Sequence, residues 1–182
     1  MNKKVDQTSR FLSLILRHQP ESIGLKLNGE GWADIGELIR LANSRGTALS
    51  RKLIEEIVAT SDKQRFALSD DGAMIRANQG HSVKIDLALA PQAPPPQLFH
   101  GTASHAIEAI RAQGLKPAAR QHVHLSSAFE TAIAVGKRHG RPVVLTVESG
   151  QMHADGNAFY LSANGVWLTD AVPVRYISFP QA

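Results

Sequence analysis

Residues 90–97 read Ala90-Pro91-Gln92-Ala93-Pro94-Pro95-Pro96-Gln97, with proline at four of the eight positions. Proline locks φ and has no N–H, so this run can neither continue a helix nor lie inside a sheet. It favours a stiff, extended connector instead. The reading divides the chain into a lobe of residues 1–90, a Pro-rich linker at 91–97 and a second lobe at 98–182, each with its own core.

Outward toward the N-terminus the pattern is helical. Phe11, Leu12, Leu14, Ile15 and Leu16 predict a helix from about Thr8, halted by Pro20. Leu25 and Leu27 alternate ahead of Asn28-Gly29, a tight-turn signal. Asp34 and Glu37 have the spacing of a capping box, before the apolar face Ile35, Leu38, Ile39 and Ala42. Ser50 is placed to cap a third helix carrying Leu53, Ile54, Ile57 and Val58. Two strands, Arg65–Leu68 and Met74–Arg76, flank Ser69-Asp70-Asp71-Gly72. Three helices followed by a hairpin is the order of a winged helix, a nucleic-acid-binding module.

Outward toward the C-terminus strands take over. Leu98–His100, His122–Leu125, Val143–Val147 and Val174–Phe179 read as strands, and Phe159–Leu161 with Val166–Leu168 as a hairpin around Asn164-Gly165. Helices are expected at about Ser104–Gln113, ended by Gly114, and at about Ala128–Arg138. The fold class is α+β.

The chain has 182 residues, 43% of them hydrophobic, enough for real cores. No apolar run approaches the roughly 20 residues that cross a bilayer, and no signal-peptide pattern opens the chain, so a cytoplasmic location without membrane association is expected. With no cysteine, disulfide and thiolate chemistry are excluded. A net charge of +4 and a pI of about 9.6 lean toward anionic partners, but the charge is spread over both halves and no basic tail exists. Nothing in the sequence implies an obligate protein partner.

Several segments have the residue types of a phosphate or cofactor site. Arg17-His18 ends the first helix, where basic groups also complement the helix dipole. Arg65 and Arg76 bracket the hairpin, solvated or holding a phosphate at a wing edge. Gln79-Gly80-His81-Ser82 sets polar groups around a glycine that permits close backbone approach. His100-Gly101-Thr102 falls where a strand is expected to give way to a helix, whose N–H groups would bind an anion, although taken in isolation a plain turn is the better reading. In Arg120-Gln121-His122-Val123-His124-Leu125-Ser126 the two histidines would share a strand face. Without cysteine or a completing His/Glu cluster, an anion or cofactor site or a simple surface strand fits this segment better than a metal.

These segments also form an ordered series: FLSLILRH at 11–18, GWADI at 31–35, ATSDKQRF at 59–66, IRANQGHS at 75–82, FHGT at 99–102, VHLS at 123–126, VGKRHG at 135–140 and NGVWLT at 164–169. The series resembles the RNA 2′-phosphotransferases, the family called KptA in bacteria, from about residue 8 to residue 177. The resemblance implies an N-terminal winged-helix lobe for RNA and a C-terminal ADP-ribosyltransferase-like lobe for NAD+. It implies an Arg-His-Arg-Arg catalytic tetrad at Arg17, His18, Arg65 and Arg120. Cofactor contacts fall at His100, Gly101, Thr102, His124 and Ser126, and substrate contacts at Arg76, Gln79 and His81.

The implied substrates are NAD, as co-substrate, and RNA bearing an internal 2′-phosphate, with no metal. The 2′-phosphate attacks C1″ of the nicotinamide ribose and expels nicotinamide; O2″ then attacks phosphorus, releasing 2′-OH RNA and ADP-ribose 1″,2″-cyclic phosphate. Arginines suit that second step because a planar fork binds two phosphate oxygens and stays charged. Two alternatives share the same features: an ADP-ribosyltransferase that caps terminal phosphates of nucleic acids, and a non-catalytic winged-helix regulator that senses NAD.

Overall fold

The computed structural model describes residues 3–180, which fall into two compact units, one ending at Ala88 and the other starting at Leu89. Each has a separate apolar core.

In the first unit α1 spans Lys3–Arg17, starting earlier than its apolar pattern, with Val5 packed partly buried against the core. His18 and Gln19 both donate their N–H to Leu14 O as the helix closes, and Pro20 opens a 3-10 turn, Pro20–Ile23. Leu25 and Leu27 form no strand: Leu25 is buried and Leu27 packs partly buried against the same core. Asn28 Oδ1 accepts from the N–H groups of Glu30 and Trp32 at 3.0 and 2.9 Å, fixing the chain before β1, Ala33–Asp34. Asp34 caps α2, Ile35–Ser44, accepting from Glu37 N at 2.7 Å; Ser50 caps α3, Arg51–Thr60, accepting from Leu53 N at 3.3 Å. These two local signals were readable because a cap needs only its own turn.

Strands β2, Phe66–Leu68, and β3, Met74–Ala77, complete a sheet of order β1-β3-β2. Strand β1 had no sequence signal, since its two residues owe their conformation to pairing with Ile75 and Met74. Leu12, Ile15, Leu16, Ile35, Leu38, Ile54, Ile57 and Ile75 are fully buried between helices and sheet.

The second unit begins with the proline-rich segment, which is tied down rather than suspended. Gln92 N donates to Phe159 O, Ser149 Oγ to Pro95 O and Gly150 N to Pro96 O, at 2.8, 2.7 and 2.9 Å. Then come β4 (Leu98–Ala103), α4 (Ile107–Gln113), β5 (Val123–Leu125), α5 (Phe129–Gly136) and β6 (Pro142–Val147). Helix α6 (Ser149–Ala154), β7 (Tyr160–Leu161), β8 (Trp167–Thr169) and β9 (Ile177–Ser178) follow. Two antiparallel three-stranded sheets result, β4-β6-β9 and β5-β8-β7, linked by a mutual N–H to C=O pair between Phe99 and Ser126 at 2.8 Å.

Two expectations change. The last strand is only two residues long, because Val174–Tyr176 closes a 3-10 turn that buries Tyr176 and brings its hydroxyl 2.6 Å from Asp155 Oδ2. Strand β4 runs on through Ala103 in unbroken register with β6, so His100-Gly101-Thr102 lies inside a strand. The helix N-terminus expected there does not exist at those residues.

Candidate functional site

In the first unit, the end of α1 is gripped by residues 80–82. Ser82 N donates to Arg17 O at 2.9 Å, and Ser82 Oγ lies 2.9 Å from His18 Nδ1. Gly80 has φ +89° and lies against the Arg17 guanidinium; a Cβ there would sit 3.6 Å from Nη1 in a backbone conformation that side chains resist. Arg17 Nη2 reaches to 3.5 Å from Arg65 O. Arg65 itself follows Gln64, held at φ +40°, where Asn78 Nδ2 donates to Gln64 O and Asn78 N to Arg65 O. A strained residue locked by long-range bonds is a common way to aim a functional neighbour.

Arg65 and His18 line one groove of about 370 Å³, which continues along α1 past Leu14, Ser13, Arg10 and Ser9. The Arg76 guanidinium lies over the Trp32 ring, its Cζ 4.5 Å from the ring centroid. Gln79 is half-buried at the start of the gripping segment.

His81 is buried, and neither ring nitrogen has a hydrogen-bond partner. Burial first, then the charges of Arg17, His18 and Arg76, push its pKa down to about 4. A neutral imidazole thus fills the space beneath the arginines without adding to their mutual repulsion. Its position is internal.

In the second unit, Arg120 Nη1 lies 2.8 Å from His124 Nδ1, and His100 Nδ1 lies 3.1 Å from His124 O. A guanidinium only donates and a carbonyl only accepts, so both tautomers are set. His124 carries its proton on Nε2, and His100 on Nδ1. Burial lowers the pKa of His100, with the charges of Arg120 and His139 adding to it against the His124 carbonyl. Partial desolvation and the Arg138 charge lower that of Arg120. His122 belongs elsewhere, 3.8 Å from Asp170 and beside the Tyr160 ring.

His100 and Thr102 share one face of β4. Gly101 serves the opposite face: a Cβ there would fall 1.7 Å from Ala132 O of α5, while one on Gly136 would fall 2.6 Å from Thr102 O. Helix and strand therefore touch backbone to backbone. Ser126 Oγ donates to Ala128 O and accepts from Ala128 N, so its hydroxyl is occupied in the turn that leads into α5.

Three residues without a predicted role emerge from the geometry. Ser82, Arg138 and His139 lay in matched segments, IRANQGHS and VGKRHG, but only the fold places the first against His18 and the others within electrostatic reach of Arg120 and His100.

Comparison with known proteins gives a consistent result. The family model described as "RNA 2'-phosphotransferase, Tpt1 / KptA family" matches residues 3–171. The chain is 60% identical over 171 residues to the "Probable RNA 2'-phosphotransferase" of Agrobacterium fabrum, covering 94% of this chain and 92% of that one. It is 55% identical over 176 residues to the protein of the same name from Acaryochloris marina, with 97% of each chain covered. A Pseudomonas aeruginosa relative of that name is 54% identical over 176 residues, covering 96% of this chain and 97% of its own. The chain belongs to the RNA 2′-phosphotransferase family.

Proposed function

We propose that the protein is an NAD+-dependent enzyme that removes an internal 2′-phosphate from RNA through an ADP-ribosylated RNA intermediate. Nicotinamide, 2′-OH RNA and ADP-ribose 1″,2″-cyclic phosphate are its products. The observation that carries this reading is the assembly around Arg17: two arginines and a histidine, held by long-range bonds, with Arg65 and His18 on one groove.

The first step needs mainly alignment, because a phosphomonoester is already anionic at neutral pH and nicotinamide leaves uncharged. The second gathers negative charge at phosphorus and moves a proton from O2″ to the departing RNA 2′-oxygen. Arg17, Arg65 and Arg120 neutralise that charge, and His18 carries the proton.

The second unit's donors fit a dinucleotide. His124 Nε2–H, the Thr102 hydroxyl and the acceptor Nε2 of His100 suit its ribose hydroxyls and amide. On this reading the first unit is a winged-helix RNA-binding lobe and the second an ADP-ribosyltransferase-like one.

The test is incubation of the full chain with NAD+ and an oligoribonucleotide carrying one internal 2′-phosphate, in excess chelator, followed by mass spectrometry. Loss of the phosphate together with appearance of the cyclic product is expected. RNA that keeps an ADP-ribose cap at a terminal phosphate, or RNA left unchanged, would overturn the proposal.

A further inference from the structure

Resting on the phosphotransferase reading, we propose that Ser82 is the positioning residue for His18, orienting the ring so that Nε2 is the nitrogen that takes and returns the proton. Three contacts converge on this arrangement. Ser82 Oγ is 2.9 Å from His18 Nδ1, Oγ is 3.4 Å from Arg17 O, and Ser82 N donates to that same carbonyl at 2.9 Å. The serine is thus fixed by its backbone to the residue that precedes the histidine, although 64 positions separate His18 from Ser82.

The direction of the chain of bonds follows from what each atom can do. Arg17 O only accepts, so a serine hydroxyl turned toward it presents its lone pairs to His18. Nδ1–H then donates to Oγ, and the lone pair of the neutral ring sits on Nε2. When His18 becomes an imidazolium, Nδ1 still donates to the same oxygen. This orientation alone serves both protonation states without rotating the hydroxyl in each cycle. A nucleophile or base whose far side is held by a third group is the general logic of oriented histidines.

The proton count closes. Nε2 accepts the O2″ proton as the O2″–P bond forms, and gives it to the RNA 2′-oxygen as the P–O2′ bond breaks. His18 and Ser82 end as they began. Gly80 contributes by letting the chain turn beneath the Arg17 guanidinium, which brings the next-but-one residue under His18. Removing the hydroxyl removes the contact that keeps the proton on Nδ1.

The experiment has two arms on the full chain. Nitrogen-15 NMR of the histidine rings, at alkaline pH, should show His18 as the Nδ1–H tautomer in the wild type and in Ser82→Thr. Ser82→Ala should show it shifted toward Nε2–H. Single-turnover kinetics should show Ser82→Ala slowing release of cyclic phosphate roughly 10-fold, about the worth of one neutral hydrogen bond, with nicotinamide release and NAD+ affinity unchanged. Ser82→Thr should restore the rate. A wild-type Nε2–H tautomer overturns the proposal, as does an unaltered spectrum or unaltered rates in Ser82→Ala. If the wild type makes no cyclic phosphate at all, the functional reading fails, whereas the tautomer result still decides the Ser82–His18 relationship.

Discussion

Arg120 Nη1 donates to His124 Nδ1 at 2.8 Å. Because the guanidinium has no acceptor, the bond exists only while His124 is unprotonated at Nδ1 and carries its hydrogen on Nε2. The pair orients each partner: the imidazole fixes the arginine's fork, and the arginine fixes which edge the imidazole presents. Arg120→Ala should reduce turnover about 10²–10³-fold, the scale of one lost charge-stabilising donor. Arg120→Lys should not restore it, because an ammonium lacks the planar fork. Ring NMR should show the His124 Nε2–H tautomer in the wild type and lose it in Arg120→Ala; retention of that tautomer would refute the assignment.

Arg65 and His18 divide the proposed reaction. The first step draws on an existing nucleophile and a good leaving group, the second on deprotonation and charge at phosphorus. Arg65→Ala and His18→Ala should therefore slow the second step far more than the first and accumulate RNA carrying 2′-phospho-ADP-ribose. Gel or mass analysis would resolve it as one added ADP-ribose unit. Equal loss of both steps would mean these residues bind RNA without dividing the mechanism.

NAD+ affinity should depend on the face of β4 that carries His100 and Thr102. Calorimetry on the full chain should show His100→Ala binding NAD+ roughly 10-fold more weakly, the worth of one hydrogen bond. Arg65→Ala should bind it as the wild type does. The reverse pattern would move the cofactor to the first unit.

His81 builds an acid limit into the first unit. Its pKa is about 4 in the folded chain, against an unperturbed value of about 6.5, because burial and then the charges of Arg17, His18 and Arg76 oppose protonation. Between those values the unfolded chain binds a proton that the folded one refuses. The stability contribution is therefore complete above pH ~6.5 and is lost as pH falls toward 4, by about 3 kcal/mol. His81→Leu removes the linkage. Chemical denaturation should show the wild type's stability relative to that variant falling by this amount across the window; a constant difference would rule the linkage out.

Gly101 is required by packing. A Cβ there would meet Ala132 O at 1.7 Å, and the obstacle is backbone that cannot swing aside. Gly101→Ala should force α5 off β4 and destabilise the protein by about 3 kcal/mol, the upper range for overpacking. Thermal melts of the variant decide this, and an unchanged melting temperature would contradict the geometry.

Much of this molecule was legible before folding was considered. The caps at Asp34 and Ser50 and most helices are local features, set by hydrogen bonds within one turn or by φ alone. The ordered motifs likewise marked the family, which the match over residues 3–171 bears out, and drew attention to Arg17, His18, Arg65, Arg120, His100 and His124 as candidates. What the sequence could not hold is pairing across distance. Two-residue β1 exists only through β3, and β4 extends past His100 only because β6 matches it residue for residue. His81 lies in a polar stretch of sequence, and only the fold buries it. Which nitrogen of His124 carries the proton, and which hydroxyl meets His18, are fixed by atoms brought within about 3 Å by tertiary closure. A hydrogen bond needs that distance and direction, and local propensity along the chain encodes neither.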